Sequence, residues 1–265
     1  MDKIYAFADL PRTGLCNMLN VWARAFLWSK KNDVKLIAPD WVKCSRLGPW
    51  LRGERDKRYY FGQFTNDGYV RGLEKLCALT FKKKLPEDVA ITESTHGIVC
   101  FSGQRNDILD FCDYSKELYF ELKRIASKNI IDRLNQLPDK YIAVHIRRGD
   151  FKSIGLTLSD EYYLRAIAKA AETLSTVPIL VFSDAKPDEL SFLTNNSDFA
   201  SKIILMPPAP ALHDVLSLAH SSALVGTNGS SFSEWAAFLG RMPTFWSKDA
   251  RKVDCRKCDQ QMFYI

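Results

Sequence analysis

No stretch of this 265-residue chain approaches the roughly 18 apolar residues of a spanning helix. Its start, Met1-Asp2-Lys3-Ile4-Tyr5, carries no apolar signal segment, so neither anchor nor export signal is expected. Also missing are GxGxxG and a Walker lysine motif, which disfavours dinucleotide and P-loop chemistry. No second CxxC or nearby histidine completes the lone Cys255-Arg256-Lys257-Cys258 into a tetrahedral zinc site. The seven cysteines are odd in number and scattered, unlike the framework of a secreted disulfide scaffold. Reduced thiols and a cytoplasmic location, with at most peripheral contact at the inner membrane face, are the expectation. No low-complexity tract and no internal repeat interrupts the chain.

What is present suits a folded protein. An aromatic share of 12% beside 46% hydrophobic and 26% charged residues argues against disorder. The net charge of +6 and pI of about 8.9 favour anionic ligands or an anionic membrane surface without demanding nucleic acid. Lys82-Lys83-Lys84 and Lys30-Lys31 read as solvated helix ends.

Residues 4–8 read as a buried strand, 9–14 as a loop and 18–29 as an aromatic-rich helix. A strand at 34–37 follows, then a Gly-, Pro- and charge-rich stretch at 46–58. A helix near 71–80, strands near 89–92 and 98–101, and a helix over 115–134 complete the first half. In the second half strands at 141–146, 178–182, 202–206 and 223–226 alternate with helices at 159–174, 187–194, 211–221 and 231–239. That alternation implies a mainly parallel, doubly wound sheet. We therefore expect two Rossmann-type lobes around a cleft: a smaller, irregular N-terminal lobe over 1–135 and a C-terminal ligand-binding lobe over 136–265.

Open α/β sheets bind ligands at the carboxyl ends of their strands, and three loops fall there. His145-Ile146-Arg147-Arg148-Gly149-Asp150 follows the apolar run Tyr141-Ile142-Ala143-Val144, and Arg is shaped to grip a phosphate through paired hydrogen bonds. In extended chain the two arginines point to opposite faces. Only one can aim at a given phosphate while the other braces the loop, and the sequence leaves open which. The loop from Arg12 to Asn17 places Gly14 for close backbone approach and Asn17 near a helix start. The third loop runs from Gly226 through Thr227, Ser230, Ser231 and Phe232 to Glu234. Ser231 with Glu234 fits a capping box, and a helix start fronted by Gly and Ser is also an anion site.

The arginine loop resembles the HxRRGD signature of α-1,2- and α-1,6-fucosyltransferases and their protein O-fucosyltransferase relatives. In the same chain order, Gly14-Leu15-Cys16-Asn17-Met18 resembles the α-1,2 family's GLGNQ loop. Val181-Phe182-Ser183-Asp184 resembles its FSDD strand end, and Ser230-Ser231-Phe232-Ser233-Glu234-Trp235-Ala236-Ala237 its STFSWWAA segment. Cys16, Met18, Ala185 and Glu234 depart from those patterns, which bears on the acceptor and the sugar more than on the diphosphate site.

The resemblance implies a GT-B-like, metal-independent, inverting transferase that moves fucose from GDP-β-L-fucose to a glycan or lipid-linked glycan acceptor. By the family's pattern Arg147 contacts the β-phosphate and glycosidic oxygen, His145 assists at the nucleotide and Asn17 reaches across the cleft. Arg148, Asp184, Thr227, Ser230, Ser231 and Phe232 complete the expected nucleotide site. Asp150 and Asp184 are candidates for weak base help, Asp150 equally for pairing with Arg148. No metal ligand set and no nucleic-acid partner is expected. The alternatives are another GDP-sugar, a non-catalytic nucleotide- or carbohydrate-binding relative, or an α/β domain whose arginines form structural salt bridges.

Overall fold

The computed structural model describes residues 4–42, 59–92, 95–103, 108–248 and 261–265. The 255–258 CxxC and the 46–58 stretch lie outside them. Two parallel sheets carry the fold. The first has the order β2-β1-β4-β3, with β1 Ile4–Ala8, β2 Lys35–Ile37, β3 Lys84–Pro86 and β4 Gly97–Phe101. The second has the order β10-β9-β8-β5-β6-β7, built from β5 Ile142–Ile146, β6 Ile179–Ser183, β7 Ile203–Leu205, β8 Ala223–Val225, β9 Thr244–Trp246 and β10 Met262–Tyr264.

Period-two alternation sorts the strand side chains between cores. Ala6 and Ala8 face helix α1 (Leu15–Lys31), whereas Tyr5 and Phe7 face the opposite side of the sheet and helix α2 (Gly72–Phe81). All five residues of β5 are buried, as a parallel strand covered on both faces requires. Ile142, Val144 and Ile146 pack beneath helix Asp160–Ala171, and Ala143 faces the core that also holds α1. That shared core joins the two sheets. Trp235, fully buried on helix Ser231–Gly240, donates its indole N–H to Asn20 of α1 at 2.8 Å.

Several expected elements change. The helix at 18–29 extends over Leu15–Lys31, and the strand expected at 89–92 is instead Lys84–Pro86. The helix at 115–134 is two, Ser115–Ile125 and Lys128–Leu134. Its break has a visible cause: the Thr65 N–H donates to the Ile125 carbonyl at 2.7 Å and the Ser127 N–H to the Gln63 carbonyl at 2.9 Å. A helix cannot continue through Ala126 while it forms an antiparallel bridge with Phe64. Both halves pack on later helices, Ser115–Ile125 on Ser231–Gly240 and Lys128–Leu134 on Ala211–His220. Strands β9 and β10 were not expected. Cys112 is disulfide-bonded, which departs from the expectation of reduced thiols throughout.

Candidate active site

Strands β5, β6 and β8 lie side by side in the order β8-β5-β6, so their carboxyl ends bring the Arg147, Asp184 and Thr227 loops together. Thr227 is the hub. Its hydroxyl donates to the His145 carbonyl at 2.7 Å and accepts from the Arg147 N–H at 3.2 Å and the Tyr163 hydroxyl at 2.8 Å. One donor and two acceptor sites are all that a hydroxyl has. Fully buried and with its hydroxyl fully used, Thr227 fixes the loop.

Asp184 holds the arginine loop from the other side. One carboxylate oxygen accepts the backbone N–H groups of Arg148 at 2.8 Å and Gly149 at 3.2 Å, while the other meets the Arg147 guanidinium at 2.8 Å. A Cβ at Gly149 would stand 2.5 Å from that second oxygen, so the position needs glycine. Asp184 is therefore committed to binding the loop. Arg148 turns away, pairing with Asp160 and lying over the Phe192 ring at 5.9 Å. Arg148 thus braces the loop through Asp160. Asp150 lies on the short helix Gly149–Ser153, and its side chain is outside the described set.

Arg147 lines two adjoining cavities, which Phe232 and Ala211 also share. The first, of about 230 Å³, is bounded by His145, Ser183, Asp184, Asp214, the prolines at 207, 208 and 210, and Gln63 from the first half of the chain. The second, of about 180 Å³, is lined by Gly14, Cys16, Asn17 and Tyr60 from the first half of the chain and by Gly229, Ser230 and Ser231 from the second. Asn17, Arg147 and both serines thus line one cavity. Helix Ser231–Gly240 starts at this wall with Ser230 as N-cap, and no side-chain cap bond forms; the expected Ser231–Glu234 capping box is absent. The helix's free N–H groups and positive dipole end thus face the same space as Arg147.

His145 is buried beside this wall, stacked on Phe232 with ring centroids 5.2 Å apart. Its Nδ1 lies 2.6 Å from the Ser233 hydroxyl, which already accepts the Thr227 N–H at 3.0 Å. The Ser233 hydroxyl thus ties the Thr227 backbone to the imidazole, and the direction of its bond to Nδ1 follows the His145 tautomer. Burial first, then the Arg147 charge, lowers the His145 pKa to about 4 against the pull of Asp184. Near Asn17, burial and then the Glu234 carboxylate push the Cys16 thiol up, opposed by Arg147.

Reading the sequence missed Ser233, Gln63, Asp160 and Tyr163. Ser233 stood inside a recognised motif, but only the fold shows its hydroxyl meeting Thr227 and His145. Gln63 had no signal at all. Its side-chain oxygen accepts the Leu212 N–H at 3.0 Å, at the start of helix Ala211–His220. Among the described residues no group of three or more His, Cys, Asp or Glu could hold a metal ion, and no helix is long and apolar enough to cross a membrane.

The profile of glycosyl transferase family 11 matches residues 88–246. The fucosyltransferase NodZ from Bradyrhizobium is 16% identical, over 92% of this chain and 94% of that one, with a TM-score of 0.57. NodZ α-1,6-fucosyltransferase co-crystallised with GDP gives 15% identity, 94% and 97% coverage, and a TM-score of 0.60. POFUT1 in complex with GDP-fucose gives 12%, 92% and 98%, and 0.58. At these identities the likeness is one of fold, and it is the α/β, GT-B-like fold expected. No curated protein sequence matches the chain.

Proposed function

Because the chain belongs to glycosyl transferase family 11, we propose that it transfers fucose from GDP-β-L-fucose to a hydroxyl of a glycan acceptor, inverting the anomeric carbon. The observation that carries this reading is Arg147: Asp184 holds it at the seam of the two cavities, opposite Asn17 and beside the Ser231 helix start. The GDP complexes of NodZ and POFUT1, proteins of the same fold, supply the donor class.

In the proposed reaction the acceptor oxygen bonds to the anomeric carbon as the bond to the β-phosphate oxygen breaks. GDP leaves with the bonding pair. Negative charge grows on the diphosphate, so the fixed guanidinium and helix N–H groups bind the transition state more tightly than the ground state. These protein charges stand where a metal could otherwise serve, and we propose a metal-independent reaction. The oxocarbenium-like centre needs only weak base help for the acceptor proton, for which Asp150 remains our candidate.

A thermal-shift panel of GDP, UDP, CDP and their sugars, with and without Mg²⁺, tests the donor. A ligand that binds only the native state raises apparent stability with its concentration. A GDP-selective shift unaffected by Mg²⁺ is expected; a UDP preference overturns the reading. In a transfer assay Arg147→Ala is expected to lose at least about a hundredfold in kcat, the scale of removing one charge-stabilising donor. Near wild-type activity from a folded variant refutes the role. GDP binding without transfer or hydrolysis of any GDP-sugar points to a non-catalytic relative.

A further inference from the structure

Helix α2 presents apolar side chains on the wrong side for a core helix. It packs inward through Ala78, its one buried residue, with Leu79 half-buried against Tyr5, Phe7, Ile37 and Ile98. Leu73, Leu76, Cys77 and Thr80, at three- and four-residue steps, share the face turned away. Leu73 is 79% exposed, Leu76 61% and Phe81, at the helix end, 83%. Scattered exposed leucines need no explanation, but a stripe of large apolar side chains on one exposed helix face does.

Charge beside the stripe indicates what covers it. Phe81 runs directly into Lys82-Lys83-Lys84, with Lys83 and Lys84 exposed and the Lys82 ammonium over the Tyr5 ring at 5.7 Å. Lys82, Lys83 and His96 join Cys77 and Phe81 around an open groove of about 510 Å³. Glu74 lines the same groove, 3.9 Å from the Lys35 ammonium and accepting the Tyr5 hydroxyl at 3.0 Å; beside Lys35, Lys82, Lys83 and Lys84 this one carboxylate leaves the local charge positive. Apolar side chains flanked by lysines are the pattern of a helix lying in a lipid interface, where Leu and Phe enter the acyl boundary and Lys reaches anionic headgroups.

We propose that the exposed face of α2, with Lys82, Lys83 and Lys84, docks the protein on an anionic lipid surface. A second copy of the chain fits less well. Three large apolar side chains fall well short of the about 800 Å² per partner that a standard protein interface buries. Nor does a lipid surface demand shape complementarity.

Co-sedimentation of the whole chain with vesicles tests this. Binding to phosphatidylcholine mixed with phosphatidylglycerol, but not to phosphatidylcholine alone, is expected, weakening as salt screens the lysines. Replacing Lys83 and Lys84 by Ala should cut partitioning by about fivefold each, from the loss of one headgroup attraction per side chain. The combined variant Leu73→Ser, Leu76→Ser, Phe81→Ser should abolish binding, while its turnover of donor with a soluble acceptor stays unchanged. Failure of the wild-type chain to sediment with anionic vesicles overturns the proposal, as does undiminished binding by the triple serine variant. So does a wild-type dimer that Leu76→Glu converts to monomer.

Discussion

At Arg147 and Arg148 two identical side chains one peptide apart enter opposite surroundings, because Asp184 holds one guanidinium at the cavity seam while Asp160 and Phe192 hold the other. At Arg148 the backbone turns out of the strand direction into helix Gly149–Ser153, with φ −115° and ψ −46°, and the neighbours hold each side chain on its own side. His145 shows the same logic through protonation. Its folded pKa of about 4 lies below the ordinary value of 6.5 because burial and Arg147 penalise the imidazolium. Between those values the unfolded chain binds the proton and the folded chain does not, so stability falls as pH drops from about 6.5 towards 4 and is unaffected above. The loss at the acid end is about 3 kcal/mol. Urea unfolding at pH 7 and pH 4.5, compared between wild type and His145→Phe, reads this directly. The variant should lose part of the acid sensitivity, and an identical pH dependence would mean that His145 titrates normally in the folded protein.

The segment around Gln63 shows how one irregular element links parts of the chain far apart in sequence. Its backbone bridges the break at Ala126, and its side-chain amide reaches Leu212 at the start of helix Ala211–His220. A helix-start N–H can only donate, so the amide oxygen must face it and the Nε2 group is the end left for the cavity. Gln63→Glu keeps the oxygen but puts a negative charge beside the Arg147 compartment in place of a donor. A rise in donor KM of about tenfold with a smaller change in kcat is expected, on the scale of one hydrogen bond to a ligand lost. An equal fall in kcat with KM unchanged would instead place Gln63 at the transition state. The regular elements were legible because they repeat: the apolar run at 141–144 marked β5, and the strand-helix alternation marked the parallel sheet. The loop motifs gave Arg147, Asn17 and Ser230 their places. The Ala126 break and the roles of Gln63, Ser233 and Asp160 were not legible. Each depends on a partner distant in sequence that carries no local periodicity.

Across the whole molecule, the core that contains Ala6 of the first sheet and Leu19 of α1 also contains Leu224 of the second sheet and Trp235 and Phe238 of helix Ser231–Gly240. The cleft therefore opens from a continuously packed base, with Trp235 and Asn20 at its centre. A shared core of this kind couples the unfolding of its two halves, whereas lobes with separate cores would melt independently. Calorimetry of the ligand-free chain should show one transition. Asn20→Leu leaves the buried indole N–H unsatisfied, at a cost of about 1–3 kcal/mol. For a chain of this size that lowers Tm by roughly 2–4 °C per kcal/mol, and the single transition should move as a unit. If it splits, with only one part displaced, the lobes are energetically separate and the packing at Trp235 does not couple them. A single shifted transition would instead mean that the walls bearing Asn17 and Arg147 are held in register before any ligand arrives. The ordering cost of bringing the two walls together would then be met on folding and not on binding.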